Sequence, residues 1–493
     1  MGMLPPERTP VIVGVGEVLD RPADPAAALE PLALMAAAVR AADVDAGGGW
    51  LARLDSLDVI NLVSWRYDRV AARLADRLGV QPARAIYGLV GGETPMAKLD
   101  QAALRIMAGQ TQVAVVTGGE AQYAVARAKA EGVTLPWTPP AAKPENPIVP
   151  SEHVTPVAMQ HGIFQPVHIY PLYENAATSG WGQTPGAALA ETGALYARIS
   201  DAAAANPFAW GRRAFSADEV VTPAADNRMI AWPYVKRMVA NNNVNMAAAV
   251  VMTSLAAARA AGVAEDRLVF VHGGAAAGEP MDYLARDRFT RSAAQDAVLG
   301  QAMRVAPHGF DRVELYSCFP IVPKMARRTL GLDEDAALSV NGGLSFAGAG
   351  LNCYMLHSAC AMVRSLRARP AEAALLYGQG GYVTKHHALV LGSGAPDAER
   401  LALPRDVATA HEAAPRLALD HEGAATIETF SLVYDREGAP SHGSVVGRTP
   451  AGARVFARID MGDAARFAAL EVSMVGVAGR VRLGEDGVQR WAF

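Results

Sequence analysis

Cys318, Cys353 and Cys360 are the chain's only thiols, and their spacing limits the covalent chemistry open to it. They form no C-x-x-C pair, so they suggest neither a disulfide framework nor a metal site of the zinc kind. Lys385, His386 and His387 stand in a row in "GYVTKHHALVLG". On a strand, alternation sends His386 and His387 to opposite faces, so only one of them is expected to face a site. His357 lies in an apolar helical stretch and reads as a core histidine, and His442 in "APSHGS" reads as a turn residue. Two glycine motifs fall short of nucleotide binding. "GVGEVL" (14–19) lacks the third glycine of a dinucleotide fingerprint, and "HGGAAAG" (272–278) lacks the lysine and spacing of a phosphate loop. The loop "SVNGGLSFAGAGLNCY" (339–354) differs from both, because it runs into the apolar stretch "MLHSACAMV". A glycine-rich turn feeding a buried helix brings backbone close to a ligand. Yet no acid, base or thiol precedes Cys353 in it.

The elements that must position these residues alternate. "TPVIVGVGEV" reads as a buried strand, and Asp24-Pro25 opens the helical "AAALEPLALMAAAVRAAD", in which Pro31 must kink the helix or delay its start. "LDSLDVINLV", "DRVAARLADRLGV", "AIYGLVGG", "MAKLDQAALRIMAG" and "VAVVTGGEA" continue the strand–helix rhythm. Residues 121–225 interrupt it with Pro, Trp, Tyr and Asn ("PWTPPAAKPENPIVPSEH", "ATSGWGQTPG") and with helical stretches such as "AALAETGALYARISDAAAAN", and they hold too many aromatics for a disordered linker. The rhythm resumes from "NVNMAAAVVMTSLAAARAAG" to "EAALLYGQGGYVTKHHALVLG". One α/β pattern therefore occurs twice around an insertion, which predicts sheets covered by helices. After Gly392 the composition shifts, and from Ala424 short alternating runs with turns predict a small β-barrel.

Composition sets the bounds. A chain of 493 residues, 51% hydrophobic and 19% charged, is core-rich and globular, with length for about three domains. A net charge of −4 without a Lys/Arg block argues against nucleic acid. "MGMLPPERTP" lacks a signal-peptide pattern, and no apolar run approaches ~18 residues, so no membrane association is expected and the cytoplasm is the expected location.

Taken jointly and in order, four segments resemble the thiolase superfamily, specifically its SCP2-thiolase-like branch. The family's "N-x-x-C-x-S-G", a buried helix ending "I-x-x-G" and a strand ending "G-G-x-E" are similar to "GGETPMAKLDQAALRIMAGQTQVAVVTGGEA". In this resemblance the nucleophilic cysteine falls on Gly92, followed by Glu93, Thr94 and Pro95. "E-x-N-E-A-F" or "E-x-H-D-C-F" appears as "ELYSCF", so the oxyanion-hole Asn or His corresponds to Tyr316, followed by Ser317, Cys318 and Phe319. "N-P-x-G-G-x-x-A-x-G-H-P-x-G" appears as "NGGLSFAGAGLN", with the catalytic His falling on Ala349 between Gly348 and Gly350. "C-x-G-G-G" appears as "YGQGGYV", where the Cys position falls on Gly378 or Tyr377 and is followed by Gly380 and Gly381. "HIYPLYEN" resembles "H-M-G-x-T-A-E-N", placing His168 over the acyl pocket, and "IAWPYVKRM" resembles "T-K-P-Y-x-x-L-M". The likeness covers about residues 8–392. The C-terminal segment makes the whole resemble thiolase-like protein type 1 with its additional C-terminal domain.

The resemblance implies a duplicated thiolase fold, five-layered αβαβα, with an inserted loop domain and a C-terminal antiparallel, OB-like β-barrel. The expected divisions are 8–120, an N-terminal thiolase half; 121–225, the insert; 226–392, the C-terminal half; 393–423, a linker; and 424–493, the barrel. It implies a coenzyme A thioester as substrate, no covalently bound cofactor, and binding residues Cys318, Phe319, Gly348, Ala349, Gly350, Gly380 and Gly381. Thiolysis needs a thiolate with an activating His, so the replacements close the ordinary acetyltransferase route. Tyr316, Glu93 and His168 remain as catalytic candidates. Tyr316 would donate a hydrogen bond or act as an acid, or else simply fill the pocket. Glu93 would act near the N-terminus of the buried helix or cap it. His168 would touch substrate or serve as a hydrogen-bonded loop histidine. A retro-aldol cleavage of a 3-hydroxyacyl-CoA suits such a site. A catalytically silent protein that binds acyl-CoA or a partner is the alternative, and a homodimer is the inherited expectation, with a monomer left open.

Overall fold

The computed structural model describes residues 4–149 and 154–493; the first three residues, and 150–153 of the proline-rich stretch, lie outside the described residues. The first half comprises β1 (Pro10–Leu19), α1 (Pro31–Asp45), β2 (Ser56–Val59), α2 (Val70–Leu78), β3 (Arg84–Tyr87), α3 (Thr94–Ala108) and β4 (Val113–Ala121). Pro31 does not kink α1 but opens it at the first helical position, where its missing N–H costs nothing. Asp24 instead caps a separate short turn, accepting from Ala26 N at 2.9 Å. Gly14 and Gly16 of "GVGEVL" serve close packing: a Cβ on Gly14 would stand 2.7 Å from Ala46 Cβ of the turn after α1.

The segment expected as a loop domain is largely helical: α4 (Gln122–Glu131), α5 (Pro156–Gln160), α6 (Pro166–Gly180), α7 (Pro185–Ala205) and α8 (Ala217–Val221). Two short strands, β5 (Met229–Ala231) and β6 (Tyr234–Val235), precede β7 (Asn245–Ser254) and α9 (Leu255–Ala260). The second half runs through β8 (Val269–Gly278), α10 (Ala293–Val305), β9 (Arg312–Leu315), α11 (Ile321–Thr329), α12 (Tyr354–Ala368), β10 (Ala374–Gly380) and β11 (Lys385–Gly392).

The strands order as β3-β2-β4-β7-β1-β8-β11-β10-β9. Only two residue pairs join β1 to β8, Val11 with Phe270 and Ile12 with Val269, so the order reads as two half-sheets meeting at a seam. Outward from the seam, β1, β7, β4, β2 on one side match β8, β11, β10, β9 on the other, with the same antiparallel and parallel pairings. Helices α3 and α12 pack on strands of both half-sheets and form the middle layer. Helix α1 covers the first half-sheet and α10 the second. That is the five-layered αβαβα arrangement. β4 and β7 are buried along nearly their whole length, the near-continuous apolar runs of strands covered on both faces. The boundary expected at residue 226 needs correcting on one point: β7 pairs between β4 and β1, inside the first half-sheet.

The linker holds a single short helix, α13 (Ala398–Leu401), and the C-terminal region comprises β12 (Gly423–Tyr434), β13 (Pro440–Arg448), β14 (Arg454–Arg458), α14 (Ala464–Phe467), β15 (Ala478–Leu483) and β16 (Gln489–Ala492). The pairings β12–β13, β13–β14, β14–β16, β16–β15 and β15–β12 close a five-stranded barrel. It is antiparallel except for the β14–β16 bridge, which is parallel, and α14 follows the third strand, the connectivity of an OB barrel. Strand β5 joins it through Val433 and Ala231, so the barrel is hydrogen-bonded to the chain that leads into β7.

Candidate functional site

A cavity of about 660 Å³ opens where the N-termini of α3 and α12 meet the ends of β10 and β11. Six of the expected residues line it: Tyr316, Cys318, Phe319, Ala349, Gly380 and Gly381. Gly92 lines it as well, at the turn that starts α3. A Cβ at Gly92 would overlap the Tyr316 hydroxyl and come within 2.7 Å of Tyr316 Cζ. The phenol therefore occupies the space a larger side chain at position 92 would need. The two residues are sterically complementary.

Tyr316 is 7% exposed, and among the described residues its hydroxyl has no hydrogen-bond partner. Burial, reinforced by Cys318, Glu93 and Cys353 nearby, pushes its pKa well above that of free tyrosine. It is thus a neutral O–H donor facing the cavity and not a phenolate base. The thiols are equally inert: burial pushes Cys318 up to about 12, and Cys353 and Cys360 are raised further by burial and neighbouring carboxylates. Cys318 Sγ instead lies 3.7 Å from Gln379 Oε1.

Gln379, between Gly378 and Gly380, is an organiser that the motif reading missed. Its Oε1 accepts from Tyr170 Oη at 2.8 Å, and its Nε2 donates to Gly380 O at 2.7 Å. Tyr170 stacks on Phe319 with centroids 4.2 Å apart. Asn352 ties the two halves together at the cavity floor: its Oδ1 accepts from Gly91 N at 3.0 Å and its Nδ2 donates to Asn61 O at 3.1 Å. The remaining wall is apolar and comes from Val90, Ile148, Val154, Phe164, Val239 and Leu351 among others. An uncharged chain is the complementary occupant.

The other candidates are held elsewhere. Glu93 lies just outside the lining; its Oε1 pairs with Lys385 Nζ at 3.0 Å, while Oε2 is buried with no hydrogen-bond partner among the described residues. Lys385 also donates to Val90 O at 2.6 Å and faces the cavity, which the sequence reading had not assigned to it. His168 does not line the cavity. On α6 it stands about 200° round the helix from Tyr170, and its Nδ1 contacts Gly162 O at 2.9 Å beside His442. Burial lowers its pKa to about 4, so it is neutral near pH 7. Gly348 and Gly350 shape the loop without lining the cavity, and a Cβ on Gly348 would press on Trp210 and Val244. His386 and His387 do point to opposite faces, but neither faces the cavity. His386 bonds Tyr377 Oη at 2.7 Å, and His387 bonds Asp100 Oδ2 at 3.2 Å. His357 is a core histidine, 2.7 Å from Glu17 Oε1. His442 is not in a turn but on β13, against Gly162. Among the described residues no cluster of His, Cys, Asp and Glu could hold a metal ion, and no helix is long and apolar enough to cross a membrane.

Comparison with known proteins follows the same lines. Residues 403–487 match the thiolase-like protein type 1 additional C-terminal domain. The crystal structure of a monomeric SCP2-thiolase-like protein type 1 from Mycobacterium smegmatis aligns over 100% of both chains, with 27% identity and a TM-score of 0.81. The Ltp2–ChsH2(DUF35) aldolase shares the fold at a TM-score of 0.58 and 18% identity, over 78% of this chain and 97% of that one. Human mitochondrial 3-ketoacyl-CoA thiolase in complex with CoA does so at 0.58 and 15%, over 80% of this chain and 100% of that one. No curated protein sequence matches the chain. The fold, the site's place within it and the C-terminal match agree: the chain has the thiolase fold and resembles thiolase-like protein type 1 with its additional C-terminal domain.

Proposed function

We propose that the cavity binds a coenzyme A thioester and acts on it without a covalent enzyme intermediate, the favoured reaction being retro-aldol cleavage of a 3-hydroxyacyl-CoA. The observation that carries this reading is the unpartnered Tyr316 hydroxyl beside Gly92, in an apolar cavity whose thiol is held protonated. In that reaction the Cα–Cβ bond breaks and its electron pair moves into the thioester as an enolate. Solvent water takes the 3-hydroxyl proton as the carbonyl product forms and returns a proton to Cα, so nothing is oxidised and no water is consumed overall. Tyr316 donates to the thioester oxygen while the enolate charge develops there. The acyl chain lies against Val154, Phe164 and Val167. The human thiolase compared above is a complex with CoA, which supports the thioester as ligand class.

A second reading, a silent acyl-CoA- or partner-binding protein, is favoured by one specific feature. Among the described residues the cavity lining contains no carboxylate or imidazole to serve as base. Cytoplasmic location and action as a monomer complete the proposal, the latter because the Mycobacterium smegmatis relative is described as monomeric.

Calorimetric titration with CoA, acetyl-CoA and a longer 3-hydroxyacyl-CoA tests the ligand, and product analysis of Tyr316→Phe tests the chemistry. Saturable thioester binding, with turnover that falls on the order of 100-fold in Tyr316→Phe, supports the enzyme. Binding with no turnover in either form supports the silent reading. No binding by any thioester removes both acyl-CoA readings.

A further inference from the structure

The barrel reaches the cavity wall at the turn ahead of α6, where several of its side chains hold backbone carbonyls. Residues 159–167 form a wall of the cavity: Met159, Phe164, Gln165, Pro166 and Val167 all line it. Between them lies the turn Gln160–Ile163, which reaches away from the cavity to the barrel. There Arg458 Nη2 of β14 donates to Gln160 O at 2.6 Å. His161 stacks on Phe456 of β14 with centroids 4.1 Å apart, and its Nδ1 is 3.1 Å from Ser444 Oγ of β13. His442 Nε2 contacts Gly162 O at 3.2 Å, and His168 Nδ1 reaches the same carbonyl at 2.9 Å. A shared carbonyl requires both rings to present N–H.

Gly162 is built for this contact. Its φ of +75° favours glycine, and a Cβ would lie 2.9 Å from His442 Cδ2. From the other side the α/β core holds the neighbouring carbonyls, with Tyr283 Oη donating to Ile163 O at 2.8 Å and Tyr382 Oη to Phe164 O at 3.2 Å. Tyr382 itself lines the cavity. The wall is therefore pinned between two bodies, one of which is the C-terminal domain.

We propose that the barrel sets the acyl selectivity of the cavity, with His442 and Arg458 as positioning residues that hold the 159–167 wall. This rests on the acyl-CoA reading of the cavity and adds to it which part of the chain decides the occupant's length and width. Neither residue touches the cavity, so neither can contribute to the chemistry directly.

The test compares the full-length parent with His442→Ala, Arg458→Ala and the conservative His442→Gln, which keeps an N–H donor. Arg480→Ala, at an exposed site on β15, is the control. Amide hydrogen exchange reads the wall itself, because His161, Gly162 and Ile163 N–H are hydrogen-bonded within the turn and exchange only when it opens. Expected is exchange on the order of tenfold faster at 161–163 in the two alanine variants, partial recovery in His442→Gln and no change in Arg480→Ala. Affinities for acyl-CoA thioesters of increasing chain length, and for free fatty acids of the same lengths, read the selectivity. The ratio of long-chain to short-chain affinity is expected to shift at least about threefold in the alanine variants. Unchanged exchange at 161–163 while the barrel amides stay protected overturns the proposal, as does faster exchange with an unchanged ratio. A parent that binds fatty acids but no thioester defeats the acyl-CoA reading and leaves the fatty-acid ratio to judge the wall. A parent that binds neither defeats both acyl readings.

Discussion

The two halves of the core start from the same plan and finish it differently. Superposing the parallel pairs β2·β4 and β9·β10 by register equates Asp58, opposite Val116, with Glu314, opposite Leu376. Both carboxylates are fully buried. Asp58 is neutralised by cations: Arg84 at 2.8 Å, Arg105 at 2.5 Å and Lys98 at 3.7 Å, the last two from α3. Glu314 takes neutral donors instead, from Ser339 Oγ, Val340 N and Asn341 N at 2.7–3.0 Å and from Tyr354 Oη of α12 at 2.6 Å. One half spends its buried acid on fixing a helix, the other on fixing the entrance of the glycine loop. Four residues further along each strand, Glu120 is equated with Gly380. Where the first half sets a buried acid one residue before the end of β4, the second ends β10 in a glycine that opens onto the cavity. Duplication supplied two equivalent places, and only one of them stayed open.

The largest expected effect breaks this comparison at Glu314. Glu314→Ala leaves two backbone N–H groups and two hydroxyls without their acceptor and should cost about 4 kcal/mol in denaturant unfolding, with faster exchange across 339–343. A cost under about 1 kcal/mol would mean that the loop does not depend on it.

Next comes Glu120. Burial raises its pKa from 4.5 to about 7, against the hydrogen bonds from Val63 N and Ser64 N. Because the folded value lies above the unfolded one, the native state holds the extra proton. Stability therefore falls as pH rises through the window from about 4.5 to 7, by a total on the order of 3 kcal/mol. Glu120→Gln should flatten that slope, whatever its absolute stability; an unchanged slope between pH 5 and 8 would assign the pH dependence elsewhere.

A third, smaller effect concerns the crowded start of α3. Gly92→Ala should cost about 2 kcal/mol in thermal unfolding, since the added carbon meets Tyr316 and the carbonyl of Gln379. Combining it with Tyr316→Ala should recover part of that loss, and strict additivity would show that the two residues do not compete for one space. The smallest effect separates the two acids by salt. Asp58→Asn should cost about 1 kcal/mol less in 1 M NaCl than at low salt, because Arg84 is partly exposed, while Glu314→Gln should show no such change.

Much of the fold is legible in the sequence because each layer repeats a simple pattern: apolar runs for β4 and β7, strands with turns between them for the barrel. The cavity is legible through the resemblance at Gly92, Tyr316, Cys318, Ala349 and Gly380, which sit at the ends of elements fixed by the core. His168 is harder to place, because a helix's rotation about its axis is set by what packs on it, and α6 packs on the barrel. The same rotation brings Tyr170 inward, a residue that no motif singles out. Gln379 and Asn352 act by joining segments remote in sequence, Asn352 reaching Gly91 across 261 residues, and such pairing leaves no local trace. Of the helices of the insert, α7 shows in its alanine-rich sequence, whereas α5 and α6 hide behind Pro156 and Pro166, which open them at the first helical position, and α6 carries Pro171 inside it as well.

The contact between Gly162 and His442 spans 280 residues. At ~5–20 residues per second, ~15–60 s of synthesis separate the emergence of the turn from that of the strand that pins it. Until Tyr283 and Tyr382 emerge, the wall that carries Phe164 and Val167 lacks both of its supports, and from then until the barrel forms it is held from one side only. A stop codon ahead of the barrel would thus release more than a shortened chain. It would leave an apolar opening with no means of closing it, of the kind that chaperones and proteases recognise.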